Sequence, residues 1–118
     1  MYALVALGGA IGSVGRFWMA SVVARLTGPG FPWGTVGINI LGSLLIGWLA
    51  GIGLPSRAPH WQAFAMVGVC GGFTTFSAFS LQSFELLRAG RLDLALVNIA
   101  VSVGLCLAAT VVGFELGK

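Results

Sequence analysis

Charge is what this chain has least of. Lys, Arg, Asp and Glu together make up 8% of its 118 residues, against about 25% in ordinary soluble domains. So few charges cannot cover the surface of a water-soluble fold, so the apolar exterior must face lipid. Acids are scarcer than bases, three against six, and Glu85, Asp93 and Glu115 all fall near the ends of apolar runs. That leaves no carboxylate at mid-membrane depth. The six basic residues are dispersed, with no cluster of four or more, which excludes a nucleic-acid footprint and a polybasic lipid-binding patch. Cys70 and Cys106 lie in apolar stretches with no CxxC spacing, and His60 is the lone histidine. No zinc site can be assembled from them, and both thiols read as small reduced packing residues. The opening Met1-Tyr2-Ala3-Leu4 has no basic region before its apolar run, so that run is expected to be a retained helix rather than a signal peptide.

What is present is hydrophobicity: 58% apolar residues and a mean hydropathy of +1.01. It is arranged in four segments, at about 2–24, 33–53, 61–87 and 92–116, separated by Thr27-Gly28-Pro29-Gly30, by the stretch from Leu54-Pro55 to His60, and by Arg88-Ala89-Gly90-Arg91. At 1.5 Å per residue each can cross a hydrocarbon core of roughly 30 Å. Trp18, Trp33, Trp48 and Trp61 lie at or near segment ends, where interfacial aromatics belong. The expectation is an all-α, four-helix, multi-pass membrane protein forming one domain. Its orientation is weakly coded. One side carries Arg57 and Lys118, the other Arg25, Arg88 and Arg91, and two against three is almost no positive-inside bias. A chain able to insert both ways up favours an antiparallel homodimer, and four helices alone give little wall around a solvated path.

Polar residues inside the spans are few and patterned. Thr35, Asn39 and Ser43 recur every fourth residue along one face of the second segment, and Asn98, Ser102, Cys106 and Thr110 do the same in the fourth. Small hydroxyls often only join helices in lipid. A carboxamide near the bilayer centre is costlier without a partner or a wet cavity, so Asn39 reads as functional. In the third segment, Gly71-Gly72-Phe73-Thr74-Thr75-Phe76-Ser77 puts two glycines and three hydroxyls at mid-depth. It predicts a broken helix near residues 71–75, with carbonyls freed for a hard cation and bare N–H groups suited to an anion; close packing through glycine is the plainer alternative. Phe76 and Phe79 share a helix face with Ser80 and Ser83, as core packing or as ring edges presented to an anion. Arg16 sits deep in the first segment, at an insertion cost of roughly 2.5–3.5 kcal/mol. It either snorkels or stands at a water-filled anion mouth. A cationic deep group and the absence of a deep acid point to anions rather than to proton-coupled export of cations.

The string Gly68-Val69-Cys70-Gly71-Gly72-Phe73-Thr74-Thr75-Phe76-Ser77-Ala78-Phe79-Ser80 closely resembles the signature of the CrcB/Fluc fluoride channel family. Gly12-Ser13-Val14-Gly15-Arg16, Phe31-Pro32-Trp33-Gly34-Thr35 with Asn39-Ile40-Leu41-Gly42-Ser43, and Ser102-Val103-Gly104-Leu105 resemble further parts of it, in the right order along the chain. The resemblance implies a dual-topology antiparallel homodimer with two fluoride pathways. It also implies a structural Na+ on the two-fold axis, held by the backbone carbonyls of Gly71 and Thr74. By the same resemblance Phe76 and Phe79 face the ion path, Asn39 and Ser102 are its polar residues, and Arg16 stands in the vestibule. Thr35, Ser77 and Ser80 complete the expected pathway. Ala78, Gln82 and Asn98 stand where the family pattern has Thr, often Glu, and commonly Tyr, and they carry no assigned role. The expected activity is passive export of cytoplasmic fluoride across a bacterial inner or plasma membrane, with no catalysis. The alternatives are a proton-coupled small-molecule exporter and a non-conducting assembly subunit.

Overall fold

Turn chemistry sets the helix ends. Gly28 leaves the first helix with a φ of 72° and Gly90 precedes the last with a φ of 74°, a backbone region that side chains resist. Between such breaks the computed structural model, which describes residues 1–118, has four long helices: α1 (Tyr2–Thr27), α2 (Trp33–Gly51), α3 (Pro59–Arg88) and α4 (Leu92–Gly117). A single turn, Leu54–Arg57, joins α2 to α3. All four are long and apolar enough to span a membrane.

Only 17 of the 118 residues are buried, and large side chains such as Phe17, Leu26, Phe76 and Leu116 are exposed. In water such a surface would drive aggregation. In a bilayer it is the solvent-facing side of helices that are apolar nearly all round.

The helices pack as two close pairs, α1 on the first half of α3 and α2 on α4. Glycine makes both seams. A Cβ added at Gly12 would lie 2.8 Å from the Phe73 nitrogen, and one at Gly113 would lie 2.9 Å from the Trp48 nitrogen. Backbones this near gain van der Waals contact, which lipid does not supply for free.

α3 changes character along its length. Residues Gln62–Cys70 are wound as a π-helix and Gly71–Phe73 as an α-helix; Thr74 (φ −80°, ψ 158°) and Thr75 (φ −150°, ψ 114°) are extended, and the helix resumes at Phe76–Arg88. The interruption is therefore at the two threonines. Gly71 and Gly72 remain helical, and a Cβ at Gly72 would lie 2.6 Å from the Gly9 carbonyl oxygen. Close packing through glycine and a broken helix are both present, one after the other. The break also changes partners: the limb before it lies on α1, while the limb after it lies on α4.

Candidate functional site

Two unwound residues at membrane depth expose backbone groups that lipid cannot satisfy. Side chains from other helices supply the partners. Asn39, on α2, lies against Thr75: its Nδ2 donates to the Thr75 carbonyl (3.0 Å), and its Oδ1 accepts from the Thr75 N–H (2.8 Å). A carboxamide has the same donor and acceptor as a peptide group, so Asn39 stands in for the helical neighbours that Thr75 has lost. Arg16, half-buried on α1, donates from Nε to the Gly72 carbonyl (3.0 Å). That contact gives the deep cation a partner in the last helical turn before the break.

The threonine side chains finish the ends. Thr74 donates from both its N–H and its Oγ1 to the Cys70 carbonyl (3.0 and 2.9 Å), closing the first limb. The Thr75 hydroxyl accepts from the Ala78 N–H (3.1 Å), a side-chain cap for the second limb. The Thr74 carbonyl receives no hydrogen bond from within the chain.

Beside the break lies a cavity of about 320 Å³, lined by Asn39, Ser43, Gly71, Thr74, Phe76, Phe79, Ser102 and Cys106 among others. The two rings stand 5.5 Å apart at 54° to each other. Phe79 is half-buried, whereas Phe76 is 78% exposed on the single chain. No carboxylate lines this cavity. Its wall offers hydroxyls, an amide, ring edges and backbone, groups that can replace the hydration of a small ion.

Residues 3–114 match the family described as CrcB-like protein, Camphor Resistance (CrcB). The chain belongs to the CrcB family. A relative in Paramagnetospirillum magneticum is 47% identical over 116 residues, covering 95% of this chain and 91% of the relative. One in Rhodospirillum rubrum is 46% identical over 110 residues, with 90% and 85% covered, and one in Agrobacterium fabrum is 46% identical over 120 residues, with 98% and 94% covered. Each of the three bears the name fluoride-specific ion channel FluC.

In this CrcB chain the residues singled out from the sequence fall in several places. Asn39, Gly71, Thr74, Phe76, Phe79 and Ser102 meet at the cavity beside the break. Thr35 is buried at a separate cavity of about 390 Å³ under the α1–α2 turn, which Gln82 and Glu85 also line. Arg16 joins neither wall and reaches the break through Gly72. Ser77 and Ser80 are exposed on the second limb of α3 and line neither cavity; Ser77 Oγ lies 3.4 Å from Thr75 Oγ1.

Two features were not read from the sequence. The Gln82 Oε1 atom is buried without a partner. Asn98, only 1% exposed, donates from Nδ2 to the Ser83 hydroxyl (2.9 Å) and accepts from the Ser102 hydroxyl (3.2 Å), tying α3 to α4. The signal for the second was available: a carboxamide deep in an apolar span must find partners, as Asn39 does.

Proposed function

We propose that this CrcB chain forms a fluoride-selective channel through which cytoplasmic fluoride leaves the cell passively, and that it works as an antiparallel, dual-topology homodimer. The observation that carries the reading is the interrupted third span. Its extended threonine pair borders a cavity that holds two phenylalanines, hydroxyls and an amide, with no carboxylate in the wall. The names of the relatives specify the ion.

Fluoride is small and strongly hydrated, so a path that replaces its water must offer several donors or positive edges at close range. The proposed path runs along Asn39, Phe76, Phe79, Ser77, Ser80, Ser102 and Thr35, with Arg16 as the vestibule cation. The edges of Phe76 and Phe79 carry partial positive charge, and hydroxyls donate. Selectivity against chloride would come from a narrow path whose few donors and ring edges fit the smaller ion. A dimer is supported by the exposed Phe76 beside a polar break, a surface that a second copy would cover. Dual topology is supported by the near balance of basic residues on the two sides.

The resemblance implies a structural Na+ at the two-fold axis, and the donor set fits. The Thr74 carbonyl has no hydrogen bond within the chain, and Thr74 lines the same cavity as Gly71. Carbonyl oxygens suit a hard monovalent cation. Gly71 and Thr74 of each copy would hold it, and its positive charge would tie the copies together. A proton-coupled exporter has no support here, since Glu85, Asp93 and Glu115 are all exposed near helix ends.

The test is efflux from liposomes loaded with fluoride and reconstituted with pure protein, followed with a fluoride electrode. The reading expects rapid fluoride release and none of chloride from matched vesicles. Absent fluoride release, or equal release of both ions, refutes it.

A further inference from the structure

The hydrogen bonds around Asn98 run in one sense in the structure. Ser83 gives its single proton to the Phe79 carbonyl (2.8 Å), so it meets Asn98 as an acceptor, and Nδ2 must face it (2.9 Å). That leaves Oδ1 toward Ser102, whose hydroxyl donates to it (3.2 Å). Asn98 is 1% exposed and Ser102 6%, so water does not compete freely for these groups. The consequence falls on the cavity beside the break, which both Ser102 and Phe79 line. With its only proton directed at Asn98, Ser102 has only lone pairs left for the cavity, and an anion accepts hydrogen bonds rather than donating them.

A half-turn of the Asn98 amide about its Cβ–Cγ bond reverses this. Nδ2 then meets the Ser102 oxygen and the serine proton is released. The hydroxyl becomes a donor, polarised by the amide behind it in a chain from N–H through O–H to the ion. Oδ1 turns to Ser83, which can answer by moving its proton from the Phe79 carbonyl to the amide oxygen. Ser83 and both ends of the amide keep partners in the turned arrangement, and the Ser102 proton gains one when an anion occupies the cavity. We propose that Asn98 is a positioning residue whose amide sets the direction of the Ser102 proton, so that turning it converts Ser102 from acceptor to donor toward an anion in the cavity. This rests on reading that cavity as the fluoride path. Without the amide nothing polarises the Ser102 hydroxyl toward the cavity, and its proton is drawn to its own backbone four residues back, as those of Ser83 and Thr110 are.

A double-mutant cycle on the full-length protein in fluoride-loaded liposomes tests this. Asn98→Leu keeps the volume and removes the amide. Ser102→Ala removes the hydroxyl. Each is expected to slow fluoride efflux by about tenfold, the scale of one hydrogen bond to an ion, and the double variant should be no slower than either alone. Additive losses would mean that Asn98 acts through packing and would overturn the switch. Normal efflux from Ser102→Ala would instead remove Ser102 from the path. Normal efflux from Asn98→Leu with slow Ser102→Ala would sink the switch alone. A second measurement, independent of how the leucine variant assembles, uses the wild-type protein: the side-chain amide ¹⁵N signal of Asn98 should shift when fluoride replaces gluconate. An unmoved signal contradicts the proposal.

Discussion

Replacing Asn39 by Leu isolates the interaction on which the broken span depends. The change keeps the size of the side chain and deletes both hydrogen bonds to Thr75, at 3.0 and 2.8 Å. The Thr75 N–H and C=O, both half-buried, then lose the only side chain that pairs with them. Each orphaned group costs about 1–3 kcal/mol, so the native break should lose about 2–6 kcal/mol relative to its alternatives. At about 1.4 kcal/mol per factor of ten, even the low end shifts the population of the extended form more than tenfold. Asn39→Asp should be intermediate, because a carboxylate still accepts from the Thr75 N–H but cannot donate to its carbonyl. The assays are fluoride efflux from liposomes and thermal unfolding in detergent, with the wild type, Leu and Asp variants side by side. Efflux and midpoint should both fall in the order wild type, Asp, Leu. If Asn39→Leu kept both, the pairing with Thr75 would be ornamental and the reasoning about the break wrong.

Gly72→Ala should destabilise the α1–α3 seam by about 1–3 kcal/mol, the usual cost of overpacking, since the new methyl would lie 2.6 Å from the Gly9 carbonyl oxygen; loss of monodisperse protein on size exclusion checks it. Gly104→Ala, where a Cβ meets nothing within 4 Å, should be silent in the same assay. Phe76→Ile and Phe79→Ile should each cut fluoride efflux while leaving assembly intact, and unchanged efflux in both would make the rings mere packing. Exchanging Na+ for a large organic cation should weaken the dimer or stop flux, measured by crosslinking and by efflux; no effect on either counts against a bound ion.

The spans were legible in the sequence because lipid imposes one strong rule, that about 20 residues in a row be apolar. The interruption of α3 was legible for a similar reason, since a run of glycine and hydroxyl residues at mid-depth has few other uses. Its position was less so. Glycine is flexible in isolation, but Gly71 and Gly72 are held helical in α3, and Gly72 also packs on α1, so the chain unwinds at Thr74 and Thr75 instead. Periodicity along one helix shows which face is polar, never what it meets. Asn39 and Thr75 are 36 residues apart, and Asn98 and Ser83 are 15 apart. Those pairings come from how the limbs of α3 lie against α2 and α4, which no single segment encodes. Arg16 shows the same limit: its depth in α1 was plain, but its acceptor, the Gly72 carbonyl, appears only once the two helices meet.

The claim beneath all of this is that the protein is a passive conduit for one ion. Current across a planar bilayer holding the purified protein, under opposed gradients of fluoride, chloride and pH, tests it most directly. The current should reverse at the equilibrium potential of fluoride and ignore the other two gradients. Reversal that follows chloride, or that moves with pH, would contradict the account.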